Sequence, residues 1–503
     1  MSWRLRAVPI VPAAIAAALA LPLGACKLGP DFFSPAAPEV SGYTEQHEKN
    51  LPSVESQKRA PQRLAIGAKV EADWWVLFRS PALDQVMKQA LADSPTIAQA
   101  QAALVQAREQ ANATAGGLLP QFDATAGVAR QRVNARINGN NRISVPVNVY
   151  SLGPSVSYDF DIFGGREREV EAQLARADVS QYQLAAAYLS LTGNIATQAI
   201  QIASVRAEIK AVERIIADDT KNLQLVRAAQ AAGTATAVDV TTAQSQLAVD
   251  RALLPPLRQQ LSIARHALAV YAGKSPAEWS PPDFDLSGLT LPKDLPVSLP
   301  SELVRNRPDI LAAEAQLHVA SAEIGVATAN LYPKFTLTGL ITQAAPQVGN
   351  VFAGIASGWN VTAGLAAPIF HGGTLQAQQR ASLAAYDAAW SGYRYTVLQS
   401  LGQVADVLQA LAHDEEAVVA QTRALATADE ALRLARLSYT EGNSNLLQVF
   451  DAQLLADRAL IGAVRAQARR VADTAQLFVA LGSGWWNTPP TPPQSPAPKT
   501  AAR

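Results

Sequence analysis

An apolar residue at every seventh position, sustained over long stretches, constrains the fold of this chain more than any other feature. Residues 166–231 contain no proline and a single glycine, Gly193. Val205, Val212 and Val226 form a second apolar seam there, which Asp219 interrupts. The repeats, one in each half of the chain, comprise Ile195, Ile202, Ile209, Ile216 and Leu223, then Val397, Val404, Leu411, Val418, Leu425, Leu432 and Tyr439. Such heptads indicate helices that supercoil against partners. A helix over residues 166–231 would be about 100 Å long, which exceeds an ordinary globular core.

A glycine turn follows each heptad stretch. Gly233 and Gly442 suit the left-handed conformation that ends a helix. Thr234 and Ser444 are the residues expected to cap the helices that return from these turns. The return helices are predicted over about residues 236–271 and 445–481, with a kink or break at Pro255-Pro256 in the first.

Two strand pairs precede the long helices, and their residues alternate between apolar and small or polar. The apolar positions are Phe122, Ala124, Ala126, Val128, Leu152, Pro154, Val156, Tyr158 and Phe160, and then Phe335, Leu337, Gly339, Ile341, Val361, Ala363, Leu365, Ala367 and Ile369. A polar tip at residues 138–141 joins the first pair. Soluble hairpins are one interpretation, although isolated hairpins are marginal in water. A membrane barrel is the other, and four strands would then have to be pooled among several chains.

The two halves match in order and spacing, which predicts an internal duplication. Matched elements are Pro95 and Pro308, residues 119–122 and 332–335, residues 162–165 and 369–373, Gly233 and Gly442, and residues 243–244 and 452–453. The first repeat is predicted over residues 73–297, with its strand pair at about 120–163 and its helical hairpin at about 166–271. The second repeat is predicted over residues 298–484, with the corresponding parts at about 333–370 and 374–481.

The N-terminal residues 1–25 read as an export signal, because two arginines precede an apolar stretch and small residues. Leu23-Gly24-Ala25-Cys26 resembles the lipobox of bacterial lipoproteins, which predicts cleavage before Cys26 and lipidation of its thiol. An uncleaved anchor is the alternative. Cys26 is the single cysteine, so no disulfide can form within the chain. In such lipoproteins an aspartate directly after the cysteine indicates retention at the inner membrane. This chain has Lys27 at that position, which favours the outer membrane. Residues 26–72 are expected to form a lipidated extended segment, and the proline-rich residues 485–503 a disordered tail.

Composition and motifs argue against two functional classes. Lys+Arg and Asp+Glu both number 42, so the chain lacks the basic field that nucleic-acid binding needs. No nucleophile elbow, phosphate loop or zinc-protease motif occurs. The five histidines lie far apart, at His47, His266, His318, His371 and His413. We therefore predict neither enzymatic activity nor a metal site, and no cofactor other than lipid on Cys26.

An ordered set of short motifs resembles the outer-membrane factor family (TolC-type), lipoprotein branch, over about residues 26–484. The motifs are residues 29–32 (GPDF), 74–78 (WWVLF), 81–83 (PAL), 307–310 (RPDI), 331–333 (LYP) and 449–453 (VFDAQ). The resemblance implies an α+β fold in which three chains share a twelve-stranded outer-membrane β-barrel, continuous with a periplasmic α-helical barrel. A mixed equatorial region around residues 65–95, 272–305 and the C-terminal part would surround it. The implied partners are two further copies of the chain, a periplasmic adaptor and an inner-membrane transporter.

The resemblance also implies a channel gate just after the second glycine turn. Leu447 would form an apolar ring and Asp451 an acidic ring, with Tyr439 and Gly442 supporting them; ordinary helix packing and a solvated carboxylate are the alternatives. Gly233 and Gly442 would mark the tip of the helical barrel. Thr440 stands where the family often has a basic residue, which puts a salt bridge there in doubt.

The implied function is passive conduction of small molecules, such as drugs, out of the cell in a tripartite efflux system. Exit of secreted proteins by a type I system and efflux of metals are alternatives with the same architecture, although two methionines and scattered histidines do not favour metal. A structural lipoprotein that tethers the envelope layers is the alternative from another class. The strand pairs argue against a tether, which needs no hairpins with an apolar face. We expect Asp73-Trp74-Trp75 to pack structurally rather than bind a ligand.

Overall fold

The computed structural model describes residues 27–44, 62–68, 70–137 and 141–483. The signal segment, Cys26, the first hairpin's tip at residues 138–140 and the tail from residue 485 lie outside these ranges. The helices in the described part are α1 (Pro81–Asp93), α2 (Pro95–Gly116), α3 (Gly165–Ala231), α4 (Ala237–Arg251), α5 (Leu254–Tyr271), α6 (Pro300–Asn306), α7 (Pro308–Ala329), α8 (Thr374–Thr440) and α9 (Leu446–Ala480). The strands are β1 (Arg63–Ile66), β2 (Gln121–Ile137), β3 (Asn141–Phe160), β4 (Asp294–Val297), β5 (Lys334–Ala345) and β6 (Ser357–Ala366).

The chain divides into two compact units. One comprises Met1–Ser34, Val105–Asp178 and Ala315–Ser391, and the other comprises Pro35–Leu104, Val179–Glu314 and Gly392–Arg503. The first contains the larger sheet, and the second contains most of the long helices. Within the described ranges, no helix is both long and apolar enough to cross a lipid bilayer.

The larger sheet is antiparallel, with the strand order β2-β3-β5-β6. Its register aligns the apolar residues of all four strands on one face, since Phe122 pairs with Val156, Val156 with Gly339, and Gly339 with Val361. The opposite face carries Ser157, Thr338 and Thr362 in the same way. The expected alternation is therefore present up to Ala366, where β6 ends. Ala367 and Ile369 were expected to extend β6 but do not, because Pro368 between them cannot donate to the ladder.

The heptad stretches form the continuous helices α3 and α8, each of 67 residues. Ile195, Ile202 and Val404 are fully enclosed, which confirms that the heptad seams face other helices. The first return path breaks between α4 and α5, and Pro255 and Pro256 lie in the first turn of α5. A proline is tolerated there because the first turn of a helix needs no intrahelical N–H bond. The predicted break is thus confirmed, whereas α9 continues for 35 residues.

The turn glycines adopt positive φ angles, 80° at Gly233 and 77° at Gly442, as predicted. The helix caps differ from the expectation. The Thr236 hydroxyl, not that of Thr234, accepts a hydrogen bond from the Asp239 N–H at 3.2 Å, and Asn445, not Ser444, accepts one from Gln448 N–H at 3.1 Å. Each turn extends further than expected, because a capping residue must directly precede the first helical residue.

The largest apolar cluster of the second unit surrounds the aromatic residues of the short 3₁₀ helix Trp74–Phe78. Trp74 stacks on Phe478 of α9 with ring centroids 5.3 Å apart, and Phe78 meets the same ring edge-on. The Trp75 indole donates to Asp84 at 3.2 Å. β1 and β4 pair in parallel beside this cluster, in the region predicted to be equatorial. The packing role expected of Asp73-Trp74-Trp75 is confirmed for both tryptophans.

The segment that follows Cys26 is held firmly within the first unit. The guanidinium of Arg168, 1% exposed, donates to the carbonyl of Leu28 at 3.1 Å and pairs with Asp31 at 2.8 Å. Phe32 stacks on His318 of α7, with centroids 4.3 Å apart. A Cβ at Gly29 would lie 2.5 Å from the Gly325 Cα, so only glycine fits. This arrangement explains the motif at residues 29–32, and the segment is called the N-terminal clasp below.

Candidate functional site

The residues predicted to form the gate lie in the first two turns of α9. Leu447 is 60% exposed, and Asp451 is exposed one turn later on the same helix face. Among the described residues, Asp451 has no ion-pair partner. Val449 lies on the opposite face, 5% exposed, in an apolar cluster with Leu432 and Ala456. The chain's own packing therefore occupies one face of α9 and leaves the face with Leu447 and Asp451 uncovered.

The gate-support residues lie at the turn itself. The ring of Tyr439, at the end of α8, packs against the cluster of Leu432, Val449 and Ala456, so it braces α8 against α9 within one chain. The Thr440 hydroxyl donates to the Leu437 carbonyl at 2.8 Å. A threonine carries no charge, so no salt bridge forms at this position. Gly442 provides the reversal of direction, as Gly233 does between α3 and α4.

Three further carboxylates, none of them predicted from the sequence, meet among α3, α4 and α9. Asp219 of α3, Asp250 of α4 and Asp457 of α9 are 4%, 7% and 8% exposed, and an oxygen of each lies within 4.8 Å of the others. Burial, a hydrogen bond shared with Asp250, and repulsion by Asp250 and Asp457 raise the pKa of Asp219 to about 8. Burial also raises the pKa of Asp457 to about 6, against the opposing effect of its hydrogen bond from Gln453. We call these residues the three-carboxylate cluster.

A polar cleft of about 360 Å³ adjoins this cluster. Its lining includes Arg214, Asp218, Asp429, Arg433, Arg436, Gln453 and Asp457. Arg436 donates to Gln453, whose amide donates in turn to Asp457 Oδ1 at 2.8 Å. The guanidinium of Arg436 is therefore linked to Asp457 only through the amide of Gln453.

A second group of buried charges lies between α8 and the C-terminal half of α9. Burial and the neighbouring Asp473 raise the pKa of Asp414 to about 7, although Arg469 and Arg470 partly offset this. Glu415, next to Asp414, pairs with Arg470 at 2.6 Å, and both side chains are 8% exposed. Arg470 also donates to Gln62 at 3.2 Å. This group therefore mixes both signs of charge, whereas the three-carboxylate cluster is acidic.

Comparison with known proteins decides what these helices and strands belong to. The family model described as "Outer membrane efflux protein" matches residues 86–274 and 299–483. The pyoverdine export outer membrane protein OpmQ of Pseudomonas aeruginosa is 32% identical, over 84% of this chain and 90% of that protein. The chain belongs to the outer membrane efflux protein family. It is an outer-membrane efflux channel that extends into the periplasm, and it is not an enzyme.

Solved structures of outer membrane efflux proteins share the fold. The outer-membrane channel OprN has a TM-score of 0.80 at 26% identity, over 92% of this chain and all of that one. The open state of the MtrE channel of Neisseria gonorrhoeae has a TM-score of 0.78 at 26% identity, over 91% of this chain and 98% of that one. This efflux protein thus has the fold of TolC-like channels, mostly helical with one larger sheet.

Some site residues of this efflux protein were predictable from its sequence, and others were not. Leu447, Asp451, Tyr439 and Gly442 lie together around the second turn, as the motif after Gly442 suggested. The three-carboxylate cluster was missed because its members lie on three helices that are distant in sequence. Asp219 was the available signal, since a carboxylate inside an apolar heptad seam is costly to bury without compensation.

Proposed function

We propose that three copies of this efflux protein assemble into one duct, with a shared β-barrel in the outer membrane and a helical barrel in the periplasm. The apolar face common to β2, β3, β5 and β6 carries the proposal. Phe122 and Trp359 on that face are 79% and 80% exposed, and Leu365 is 62% exposed. Such a face is unstable in water and suits the hydrocarbon core of a membrane.

The edges of the sheet support assembly from several copies. Within the described residues, β2 pairs only with β3 and β6 only with β5, so one edge of each is free. Unpaired edges are excluded from lipid because their N–H and C=O groups have no partner there. Three chains with four strands each would close a barrel of about twelve, within the known range. The equal lengths of α3 and α8 support the prediction that the second half of the chain repeats the first.

The gate proposal rests on the uncovered face of α9. With threefold symmetry, Leu447 would form an apolar constriction and Asp451 a ring of carboxylates about one helical turn away. Rings of acidic side chains select cations, and apolar rings restrict water. Tyr439 and Gly442 would hold this part of α9 against α8, and Gly233 would shape the adjacent turn.

Membrane attachment, partner proteins and an exported substrate complete the proposed function. Lipid on Cys26 would anchor each chain next to the N-terminal clasp, which fixes Lys27 and its neighbours in place. A periplasmic adaptor and an inner-membrane transporter would deliver the substrate and supply the energy. We propose small molecules as the substrate class, because the relative OpmQ is named for pyoverdine export.

Planar-bilayer recording with purified protein tests this function. We expect stable trimers in detergent and a cation-selective conductance after insertion. Asp451→Asn should reduce the cation selectivity several-fold, since it removes the charge of the ring without changing its size. Asp429→Asn, an exposed carboxylate on α8, is the matched control and should leave the selectivity unchanged. A monomeric protein without conductance would refute the duct, and equal selectivity in both variants would refute the gate role of Asp451.

A further inference from the structure

The three-carboxylate cluster has the geometry of a cation site that joins three helices. Asp219, Asp250 and Asp457 come from α3, α4 and α9, and each is more than nine-tenths buried. Their nearest oxygens lie within 4.8 Å of one another. Oxygens bound to one Ca²⁺ at about 2.3–2.6 Å can lie no more than about 5 Å apart. The three carboxylates therefore already meet the distance condition for sharing one ion.

Two buried oxygens of the cluster have no partner within the described part of the chain. Asp219 Oδ2 and Asp457 Oδ2 are enclosed and accept no hydrogen bond. An ionised carboxylate has only acceptor atoms, and leaving one unpaired in the interior costs several kcal/mol, by an order-of-magnitude estimate. Asp218 on the neighbouring position of α3 adds further negative charge. Within the described residues, no cationic side chain pairs with these two oxygens.

Amide groups hold one oxygen of each of two cluster members in place. Gln246 Nε2 donates to Asp250 Oδ2 at 2.7 Å, and Gln453 Nε2 donates to Asp457 Oδ1 at 2.8 Å. Each amide precedes its carboxylate by one helical turn. Hydrogen bonds of this kind fix the direction of carboxylates that bind metals, and they leave the second oxygen available.

We propose that Asp219, Asp250 and Asp457 bind one hard divalent cation, Ca²⁺ or Mg²⁺, which ties the first helical hairpin to α9. Ligands that are all carboxylate oxygens favour these ions over softer metals. Water would complete the coordination from the adjoining polar cleft. The ion supplies the positive charge that the packed helices do not, and so it stabilises the contact among α3, α4 and α9.

The binding site does not depend on the proposed gate, but one consequence does. Leu447 and Asp451 lie on α9 within three turns of Asp457. An ion at the cluster would therefore restrain the segment that carries the gate. Loss of the ion would release α9 from α3 and α4 through repulsion among the carboxylates.

Metal titration of the full-length trimer in detergent tests the proposal. After removal of metal with EDTA, Mn²⁺ binding is followed by electron paramagnetic resonance at pH 7.5, with Ca²⁺ and Mg²⁺ as competitors. We expect one saturable site per chain, weakened about tenfold or more by Asp219→Asn or Asp457→Asn, because affinity follows the number of charged ligands. Asp429→Asn removes a carboxylate from the same cleft and should leave the affinity within about twofold.

Thermal unfolding with and without Ca²⁺ gives a second and independent readout. Wild-type protein should gain stability from Ca²⁺, whereas Asp219→Asn should gain little. In EDTA above about pH 8, where Asp219 is ionised, the order should reverse, with Asp219→Asn more stable than wild type, because one repelling charge is gone. Absence of saturable binding to wild-type protein, or wild-type affinity in both Asp219→Asn and Asp457→Asn, would overturn the proposal and leave protons as the compensating charge.

Discussion

The helices α3 and α8, which precede the two glycine turns, both contain 67 residues and both end two residues before the turn glycine. They nevertheless bury different side chains. Ile202 on α3 corresponds to Leu411 on α8, and both are buried. Three residues later, α3 buries Val205 at 1% exposure, whereas α8 buries Asp414 at 5%. At this position the second hairpin therefore buries a titratable group where the first buries an apolar one.

The return helices show a related difference. The first path is interrupted at Pro255, and the second continues through the matched position, Val464. Beyond the turns, Val238 and Thr242 of α4 correspond to Leu447 and Asp451 of α9, and all four are exposed. Exposed side chains thus occupy the same two positions in both hairpins. Only the second hairpin has an acidic residue, Asp451, at one of them. If Asp451 contributes to a gate, as proposed above, that charge is restricted to one of the two hairpins.

A proline in the uninterrupted return helix should have the largest effect. Val464→Pro removes a backbone hydrogen bond and introduces a clash in the interior of α9, at a cost of about 3 kcal/mol per chain. Pro255→Ala should change stability by less than about 1 kcal/mol, since its first-turn position needs no N–H. Chemical unfolding of the purified protein, with Val464→Ala as the control, measures both. Equal stability of Val464→Pro and Val464→Ala would show that α9 tolerates the same break as the first path.

The buried Asp414 should make the second hairpin sensitive to pH. Its raised pKa, about 7 against an ordinary 3.8, means that the folded chain holds a proton that the unfolded chain releases. The stabilising contribution is therefore full below about pH 4 and is lost as the pH rises through about 7. Asp414→Asn should remove this contribution, while those of Asp219 and Asp457 remain, and should increase stability at pH 8 by about 2 kcal/mol, after allowance for the charge shared with Asp473.

Unfolding midpoints measured from pH 5 to pH 8 check this prediction. Asp406→Asn, an exposed carboxylate on the same helix, should retain the wild-type slope. Val205→Asp on α3 transfers the buried acid to the first hairpin and should create a new loss of stability above neutral pH. A flat profile in wild-type protein would contradict the protonation of Asp414.

The caps of the return helices should differ by a smaller amount. Thr236 and Asp239 exchange reciprocal hydrogen bonds, whereas Asn445 makes a single one to Gln448 N–H. Thr236→Ala should cost about 1 kcal/mol or slightly more, and Asn445→Ala about 1 kcal/mol or slightly less. Hydrogen exchange of the first-turn amides of α4 and α9 reports each effect locally. A larger increase in amide exchange in α9 of Asn445→Ala than in α4 of Thr236→Ala would contradict this order.

The exposed apolar residues after the turns should show the smallest difference in free energy. Leu447→Ala should increase single-channel conductance roughly threefold, which corresponds to less than about 1 kcal/mol. Val238→Ala at the matched position of the first hairpin should leave the conductance near the wild-type value. An increase of similar size in both variants would place the constriction on both hairpins.

The sequence predicted the parts of the fold that follow a periodic rule. Heptads located α3 and α8, alternation located the strands, and Pro255 located the break in the first return path. The caps were predicted one or two residues too early, since Thr234 and Ser444 are as suitable chemically as Thr236 and Asn445. What decides between them is the length of the turn, which residue type does not encode.

The candidate site was predictable only where its residues are close in sequence. Leu447 and Asp451 lie in one motif after Gly442, and their exposure on a common helix face follows from the helical period. The three-carboxylate cluster combines residues from three helices, so only the folded chain brings Asp219 beside Asp250 and Asp457. The partnership of Arg168 with Leu28 and Asp31 was hidden for the same reason.

The N-terminal clasp imposes an order on the maturation of the chain. Its contacts come from Arg168 and Glu171 near the start of α3 and from His318 and Gly325 on α7. A chain that emerges from the export machinery N-terminus first cannot complete the clasp until more than half of it has crossed the inner membrane. The segment after Cys26 can therefore complete its contacts only once α7 has followed it, so its docking depends on residues from the second half of the chain.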